Sequence, residues 1–167
     1  VNKSNKSEGK FYNSMIIINK DFEVIQSYNK RKLVPFGEFL PFENFLDNFG
    51  LKKITEGHGS FLKGESNNNL LEDKLNILPL ICYEVIFTEF IQKSDPNSNL
   101  IVNISEDGWF GQTIGPDQHF AKSIFRAIEN NTFFLRSANK GVSAIIDDKG
   151  NIIKQLNRNE AGNIEFD

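Results

Sequence analysis

The side chain best suited to covalent chemistry is that of Cys82, the only cysteine in the chain. It stands in the stretch LPLICYEVIF, where an apolar run of strand length passes into residues at helical spacing. A thiol at the start of a helix lies near backbone N–H groups and the positive end of the helix dipole, and both favour the thiolate. Free cysteine is also among the residue types most often buried in cores. Position alone therefore leaves two interpretations open, a nucleophile and an inert core residue.

A nucleophilic thiolate needs partner groups. The histidines, His58 in EGHGS and His119 in the first turn of a predicted helix, have no distinctive setting, so neither a papain-like pair nor a metal site is favoured. The stretch YNKRKLVPFGEF provides Lys30 at the end of a predicted strand and Glu38 after a Pro-Phe-Gly turn. A lysine can stabilise a thiolate and a developing oxyanion, and a glutamate can move a proton. Charged residues beside a strand are usually solvated, so this spacing alone does not decide the matter.

A third candidate is the loop in NISEDGWFGQTIGPDQH, which carries Trp109, the only tryptophan. A predicted buried strand ends at Ser105, and ligands of α/β sheets bind at strand ends. Trp109 is equally consistent with the wall of a binding pocket and with an anchor that holds the loop on the core.

The composition is that of an ordinary globular domain. The 167 residues are 39% hydrophobic and 25% charged, and the net charge of −3 gives no reason to expect nucleic acid as a partner. A single cysteine excludes an intrachain disulfide and zinc sites built on several thiolates. No apolar run approaches the roughly 18 residues that a membrane span needs. We predict neither a metal nor a cofactor.

The rest of the chain alternates between strands and helices. FYNSMIIINKDFEVIQSYNK and GVSAIIDDKGNIIKQL each predict a hairpin, with turns at Lys20-Asp21 and at residues 148–150. LNILPLIC, NLIVNIS and TFFLRSAN predict strands, the first two of them buried on both faces. EVIFTEFIQK and GPDQHFAKSIFRAIENN predict helices. This order predicts an α/β domain with hairpins attached.

The stretch from residue 36 to residue 73 has a different character. PFGEFLPFENFLDNFG is dense in phenylalanine, and EGHGSFLKGESNNN is polar and rich in small residues. We expect a mobile lid or loop here, with the phenylalanines of residues 36–49 either facing lipid or simply packed on the domain.

Three stretches, taken together, resemble a known family: YNKRKLVPFGEFLP, ICYEVIF and NISEDGWFGQTIGPDQHFAKSIFRAIENNTFFLRSANKGVSAIID. They are similar to the carbon–nitrogen hydrolase (nitrilase) superfamily and, more narrowly, to its branch of bacterial apolipoprotein N-acyltransferases. The motifs keep the family's order and approximate spacing from about Tyr12 to Asp148. The resemblance implies a nitrilase-like α-β-β-α sandwich, incomplete at its N-terminus, with residues 1–167 forming part of one catalytic domain.

The resemblance also implies a ping-pong acyl transfer, with Cys82 as nucleophile, Lys30 as the lysine of a Glu-Lys-Cys triad and Glu38 as a further active-site glutamate. Cys82 would take an acyl chain from a phospholipid donor as a thioester, releasing lysophospholipid. The N-terminal amine of a diacylglyceryl lipoprotein would then accept it. The implied location is the bacterial inner membrane, with the catalytic domain facing the periplasm and the membrane segments absent from this chain.

Motif matching places further residues. Tyr83, Glu84 and Trp109 match positions that shape the substrate site of the acyltransferases. Arg126 and Glu129 match a helix pair to which we assign a structural role.

The chain departs from the family pattern in three places. Lys32 replaces a histidine before LVPFGE, and Asp117 stands where the acyltransferases often have histidine. The family's first catalytic glutamate lies farther upstream of Lys30 than this chain extends, and the chain starts at Val1. We therefore expect a fragment that is inactive alone. The alternatives are a soluble nitrilase-type amidase acting on a small C–N substrate and a non-catalytic domain.

Overall fold

The computed structural model describes residues 2–3, 11–39, 41, 60–65, 69–72, 74–92 and 97–166. Its centre is a six-stranded sheet that consists of β6 (Leu70–Glu72), β7 (Leu75–Ile81), β8 (Leu100–Glu106), β9 (Phe133–Asn139), β10 (Ser143–Ile146) and β11 (Ile152–Leu156). The strand order is β11-β10-β9-β8-β7-β6. Strands β7, β8 and β9 run parallel, and the outer pairs are antiparallel.

The parallel strands are apolar because both faces of the sheet are covered. On one face, the core contains Leu80, Ile101 and Phe134, each essentially inaccessible to solvent. The longer helix, α2 (Gly115–Asn130), packs on this face through Ala127 and its neighbours. Its amphipathic pattern and Pro116 at the start confirm the predicted helix.

The opposite face is covered by a hairpin. β3 (Ser14–Ile18) pairs antiparallel with β4 (Val24–Asn29), and the turn lies at the predicted Lys20-Asp21. Met15 and Tyr28 pack with Ile81 of the central sheet in a second core cluster. The β10–β11 hairpin also turns where the sequence predicts. A small three-stranded sheet contains β1 (Asn2–Lys3), β2 (Phe11–Tyr12) and β5 (Phe61–Leu62).

The helix predicted after Cys82 is broken. A 3₁₀ helix covers Cys82–Ile86, Phe87 is extended with φ −87° and ψ 90°, and only Thr88–Gln92 forms an α-helix, α1. The apolar residues after Cys82 do lie on helical turns, as their spacing predicts, but these turns belong to two short helices and not to one continuous helix. The physical reason is the carboxylate of Glu84, which turns back to the backbone before it and tightens this first turn.

Most of the predicted lid, residues 36–73, lies outside the described residues, as does His58. In the part of the chain that the structure describes, no helix is long and apolar enough to cross a membrane.

Candidate active site

Cys82 is presented by a strained turn. It follows β7 directly, at the carboxyl end of the parallel strands, where ligands of α/β sheets bind. Its φ of 52° is left-handed, which is uncommon for a residue with a side chain and tends to occur at functional sites. The thiol is free and half-buried. These features favour the nucleophile over the inert core residue.

The side chain of Asn103, on β8, holds this turn in place through hydrogen bonds. Its fully buried amide donates to the carbonyl oxygen of Leu80 at 3.1 Å and of Cys82 at 3.4 Å. Its own oxygen accepts a hydrogen bond from the Arg136 guanidinium. Because the Cys82 carbonyl has a fixed partner, the peptide that sets the unusual φ is held in place.

A buried ionic network continues from Asn103. Arg136 of β9 donates to Asp107 Oδ2 at 2.7 Å, and His119 Nδ1 of α2 lies 2.9 Å from Asp107 Oδ1. Burial alone would raise the pKa of the Asp107 carboxyl, but the hydrogen bond with His119 and the charge of Arg136 outweigh it and lower the pKa to about 2. Burial lowers the pKa of the Arg136 guanidinium, while Asp107 and Cys82 act in the opposite direction.

Lys30 and Glu38 form a second buried pair. Lys30 Nζ lies 2.8 Å from Glu38 Oε2, and the lysine side chain is 1% exposed. The Glu38 carboxylate also accepts from Asn13 Nδ2 at 2.8 Å and from the Val34 backbone N–H at 2.9 Å. The compact 34–38 turn, closed by a bond from Glu38 N–H to Val34 O, thus points the carboxylate at Lys30. Three donors fix its orientation.

Glu84 links the segment that carries Cys82 to the segment that carries Lys30. Its Oε1 accepts from the Tyr28 hydroxyl and from the backbone N–H groups of Arg31 and Lys32, and its Oε2 accepts from the Ile81 N–H. Burial raises the pKa of the Glu84 carboxyl, although the three backbone hydrogen bonds oppose this shift. Burial also raises the pKa of the Tyr28 hydroxyl.

The sequence prediction that Glu84 binds substrate does not match its place in the structure. The side chain is 0% exposed, and protein donors already surround both oxygens. The carboxylate is therefore better described as a positioning group that fixes the Lys30 segment against the Cys82 turn.

A cavity of about 190 Å³ joins the other predicted residues. Among the described residues it is lined by Lys30, Val34, Gly37, Glu38, Cys82, Tyr83, Glu106, Trp109 and Phe110. Five of the six predicted site residues thus meet in one space. Trp109 is 62% exposed and Tyr83 is 38% exposed, so both walls reach the surface. Trp109 is therefore better described as part of the wall of a binding pocket than as an anchor that holds the loop on the core.

Sequence reasoning missed Glu106 and the Asn103–Arg136–Asp107 network. Glu106 ends β8 and lines the cavity, and its Oε1 caps the Asp107–Phe110 3₁₀ helix by accepting from Gly108 N–H at 2.8 Å. The available signal was the presence of polar residues within or just after an apolar strand. Buried polar side chains are costly unless they are hydrogen-bonded, so they indicate a network or a site. What the sequence could not give was which of them point into the cavity.

The residues that depart from the family pattern lie at the surface. Lys32 is exposed, with its Nζ 5.5 Å from the centre of the Phe87 ring, and Asp117 lies 3.4 Å from Arg158. Arg126 pairs with Glu129 at 2.8 Å on α2, a contact that agrees with a structural role. No group of three possible metal ligands occurs among the described residues.

Comparisons with known proteins identify the family. The carbon-nitrogen hydrolase model matches residues 2–166. The chain belongs to the carbon–nitrogen hydrolase family. An apolipoprotein N-acyltransferase of Rhizobium leguminosarum bv. trifolii (strain WSM2304) is 41% identical over 93% of this chain and 29% of its own length. The protein of the same name from Rickettsia typhi (strain Wilmington) is 41% identical over 98% of this chain and 33% of its own. The chain thus spans roughly a third of the curated relatives it matches.

Solved structures show the same fold. The yeast protein Nit3, a member of branch 10 of the nitrilase superfamily, matches 90% of this chain and 51% of its own with a TM-score of 0.64 at 19% identity. An amidase from Nesterenkonia sp. AN1 matches 89% of this chain and 52% of its own, with a TM-score of 0.61 at 18% identity. The predicted nitrilase-like α/β fold is confirmed.

Proposed function

We propose that this chain carries the nucleophile of an apolipoprotein N-acyltransferase. In this proposal, the full-length protein moves a fatty acyl chain from a phospholipid to the N-terminal amine of a diacylglyceryl lipoprotein. It would do so at the bacterial inner membrane, with this domain facing the periplasm. The observation that carries the proposal is the convergence of Cys82, Lys30 and Glu38 on one cavity, in a chain about 40% identical to relatives of that name.

The geometry suits nucleophilic acyl transfer. The Cys82 thiolate attacks the ester carbonyl carbon of the phospholipid, and the C–O bond to glycerol breaks with its electron pair on the glycerol oxygen. That oxygen takes up the proton that the thiol released, giving a thioester and a lysophospholipid. The ammonium of Lys30 lines the same cavity and can stabilise the oxyanion of the tetrahedral intermediate. Glu38 orients that ammonium through the contact at 2.8 Å. Tyr83 and Trp109 supply aromatic walls for an acyl chain.

The test is to trap the thioester on the full-length protein. After incubation with phospholipid vesicles, the peptide that contains Cys82 should gain the mass of one fatty acyl chain, and hydroxylamine should remove it. Cys82→Ala should abolish the adduct, and Lys30→Met should slow its formation by about a hundredfold or more. Lys20→Met, a change at an exposed lysine of the β3–β4 turn, serves as the control.

Two results would overturn the proposal. One is an acyl chain that forms equally well on Cys82→Ala. The other is release of ammonia from small amides with no acyl adduct from phospholipid, which would favour the nitrilase-type amidase.

A further inference from the structure

Among the described residues that line the cavity around Cys82, carboxylates outnumber basic groups. Lys30 and Glu38 neutralise each other at 2.8 Å. Glu106 lines the same cavity, and no ion pair joins it to a basic residue in the part of the chain that the structure describes. A carboxylate is thus left over in a partly enclosed space beside the nucleophile, and such a site attracts a cation.

Glu106 is held by neutral donors that leave it able to bind more. Its Oε1 accepts from Gly108 N–H at 2.8 Å, and its Oε2 accepts from Asn139 Nδ2 at 2.6 Å. Each carboxylate oxygen has two lone pairs, so each can accept a further hydrogen bond. The end of β8 and Asn139 of β9 fix the group on two neighbouring parallel strands. The carboxylate is therefore preorganised.

We infer that Glu106 forms the subsite for the amine of the acyl acceptor. This inference rests on the proposed function and adds a residue for its second half-reaction. A free α-amine is mostly protonated at neutral pH, since its pKa is about 7.7–8.0. An ammonium can donate to Glu106 while the amine nitrogen approaches the thioester on Cys82. A hydroxyl group or water can also donate to this carboxylate, but it carries no positive charge and forms no ion pair there, so the site favours an amine.

The proton balance of this step is simple. The ammonium transfers one proton to the Glu106 carboxylate, which later passes it to solvent. The freed lone pair attacks the thioester carbonyl carbon, the C–N bond forms, and the C–S bond breaks with its electron pair on Sγ of Cys82. A second proton moves from nitrogen to that sulfur, and the third remains as the amide N–H. Cys82 returns to a thiol.

The experiment separates the two half-reactions on the full-length protein. Vesicles of phosphatidylethanolamine and phosphatidylglycerol load the thioester on Cys82. The thioester is then discharged by one of two nucleophiles, a diacylglyceryl-cysteine peptide or hydroxylamine. Hydroxylamine is uncharged at neutral pH. Glu106→Gln keeps an oxygen for Gly108 N–H but removes the charge. We expect this variant to load the thioester at the wild-type rate and to discharge it to hydroxylamine at the wild-type rate. Discharge by the peptide should slow about tenfold to a hundredfold, which is the effect of a lost charge-assisted hydrogen bond.

Glu89→Gln removes the same charge from the exposed surface of α1 and should leave both discharge rates at the wild-type value. Equal discharge by the peptide in Glu106→Gln and wild type would overturn the inference. So would equal slowing of both nucleophiles, which would show a purely structural role in the turn. Failure of the wild-type protein to load a thioester would instead overturn the proposed function, so the two failures are distinct.

Discussion

Lys30 and Glu38 show how one buried pair can depend on a short turn. The ammonium is almost fully buried, and its partner is 14% exposed. Taking two such charges out of water is expensive, and the pair is tolerated because Asn13 and Val34 satisfy the remaining acceptor sites of the carboxylate. The ion pair is therefore better understood as a way to hold the Lys30 ammonium in the cavity with Cys82 than as a source of stability.

The stability losses of single and double variants of this pair should be strongly non-additive. Glu38→Gln leaves a buried ammonium without its counter-charge and should destabilise the local structure by about 3 kcal/mol. Adding Lys30→Met should restore part of that loss, because no charge then remains unpaired. Hydrogen exchange of peptides covering β4 in the full-length protein measures the effect, expected as an approximately hundredfold loss of protection. Losses that simply add in the double variant would contradict the interpretation.

At the scale of the elements, the end of β8, β9 and α2 meet in the network of Asp107, Arg136 and His119. Each of these three groups comes from a different element, and Asp107 lies just after β8. Gly141 allows the β9–β10 turn to approach, since a side chain there would collide with the Asp107 carboxylate. The ring of His119 lies 5.8 Å from that of Tyr83, so this network supports one wall of the cavity.

The lowered pKa of Asp107 makes a prediction about acid stability. The folded pKa of about 2 is below the unfolded value of 3.8, so the carboxylate stabilises the fold above about pH 4, and this stability is lost as the pH falls through about 2. The contribution is about 2 kcal/mol. In Asp107→Asn the full-length protein should unfold more easily at pH 7, because Arg136 is left unpaired. Its thermal midpoint should also change less between pH 4 and pH 2. An acid slope equal to that of the wild type would contradict this assignment.

The sequence predicted most elements because their patterns are local. The apolar runs of β7 and β8 and the amphipathic face of α2 carry their own signal, and the turns of the two hairpins carry theirs. The break at Phe87 could not be predicted in this way, because the Glu84 carboxylate that bonds back to Ile81 is also held by Arg31 and Lys32, from a distant part of the chain. Glu106 was missed for a related reason, since only the packed sheet decides which residue at a strand end faces the cavity.

At the scale of the whole molecule, the cavity is open along an aromatic rim. Tyr83 lines the cavity and packs edge-on against Phe87 at 6.3 Å, and Trp109 forms another part of the lining. Exposed aromatic groups that cluster around a cavity are typical of a contact surface, whereas scattered ones need no explanation. The hairpin turn offers a scattered counterpart in Phe22, which is 85% exposed. It is separated from Lys30 by the length of β4, about 20 Å.

A comparison of Trp109 and Phe22 tests whether the rim receives lipid. Trp109→Ala should raise the KM for phospholipid presented in vesicles about tenfold, because an aromatic side chain buried against lipid contributes about 1.5–3 kcal/mol. The kcat should change little, since Trp109 touches neither Lys30 nor Glu38 in a hydrogen bond or ion pair. Phe22→Ala should leave both constants unchanged.

With a short-chain, water-soluble acyl ester as donor, the KM of Trp109→Ala should return close to that of the wild type. A KM raised equally for the soluble donor would mean that Trp109 shapes the cavity itself, and the rim would then have no separate role in binding lipid.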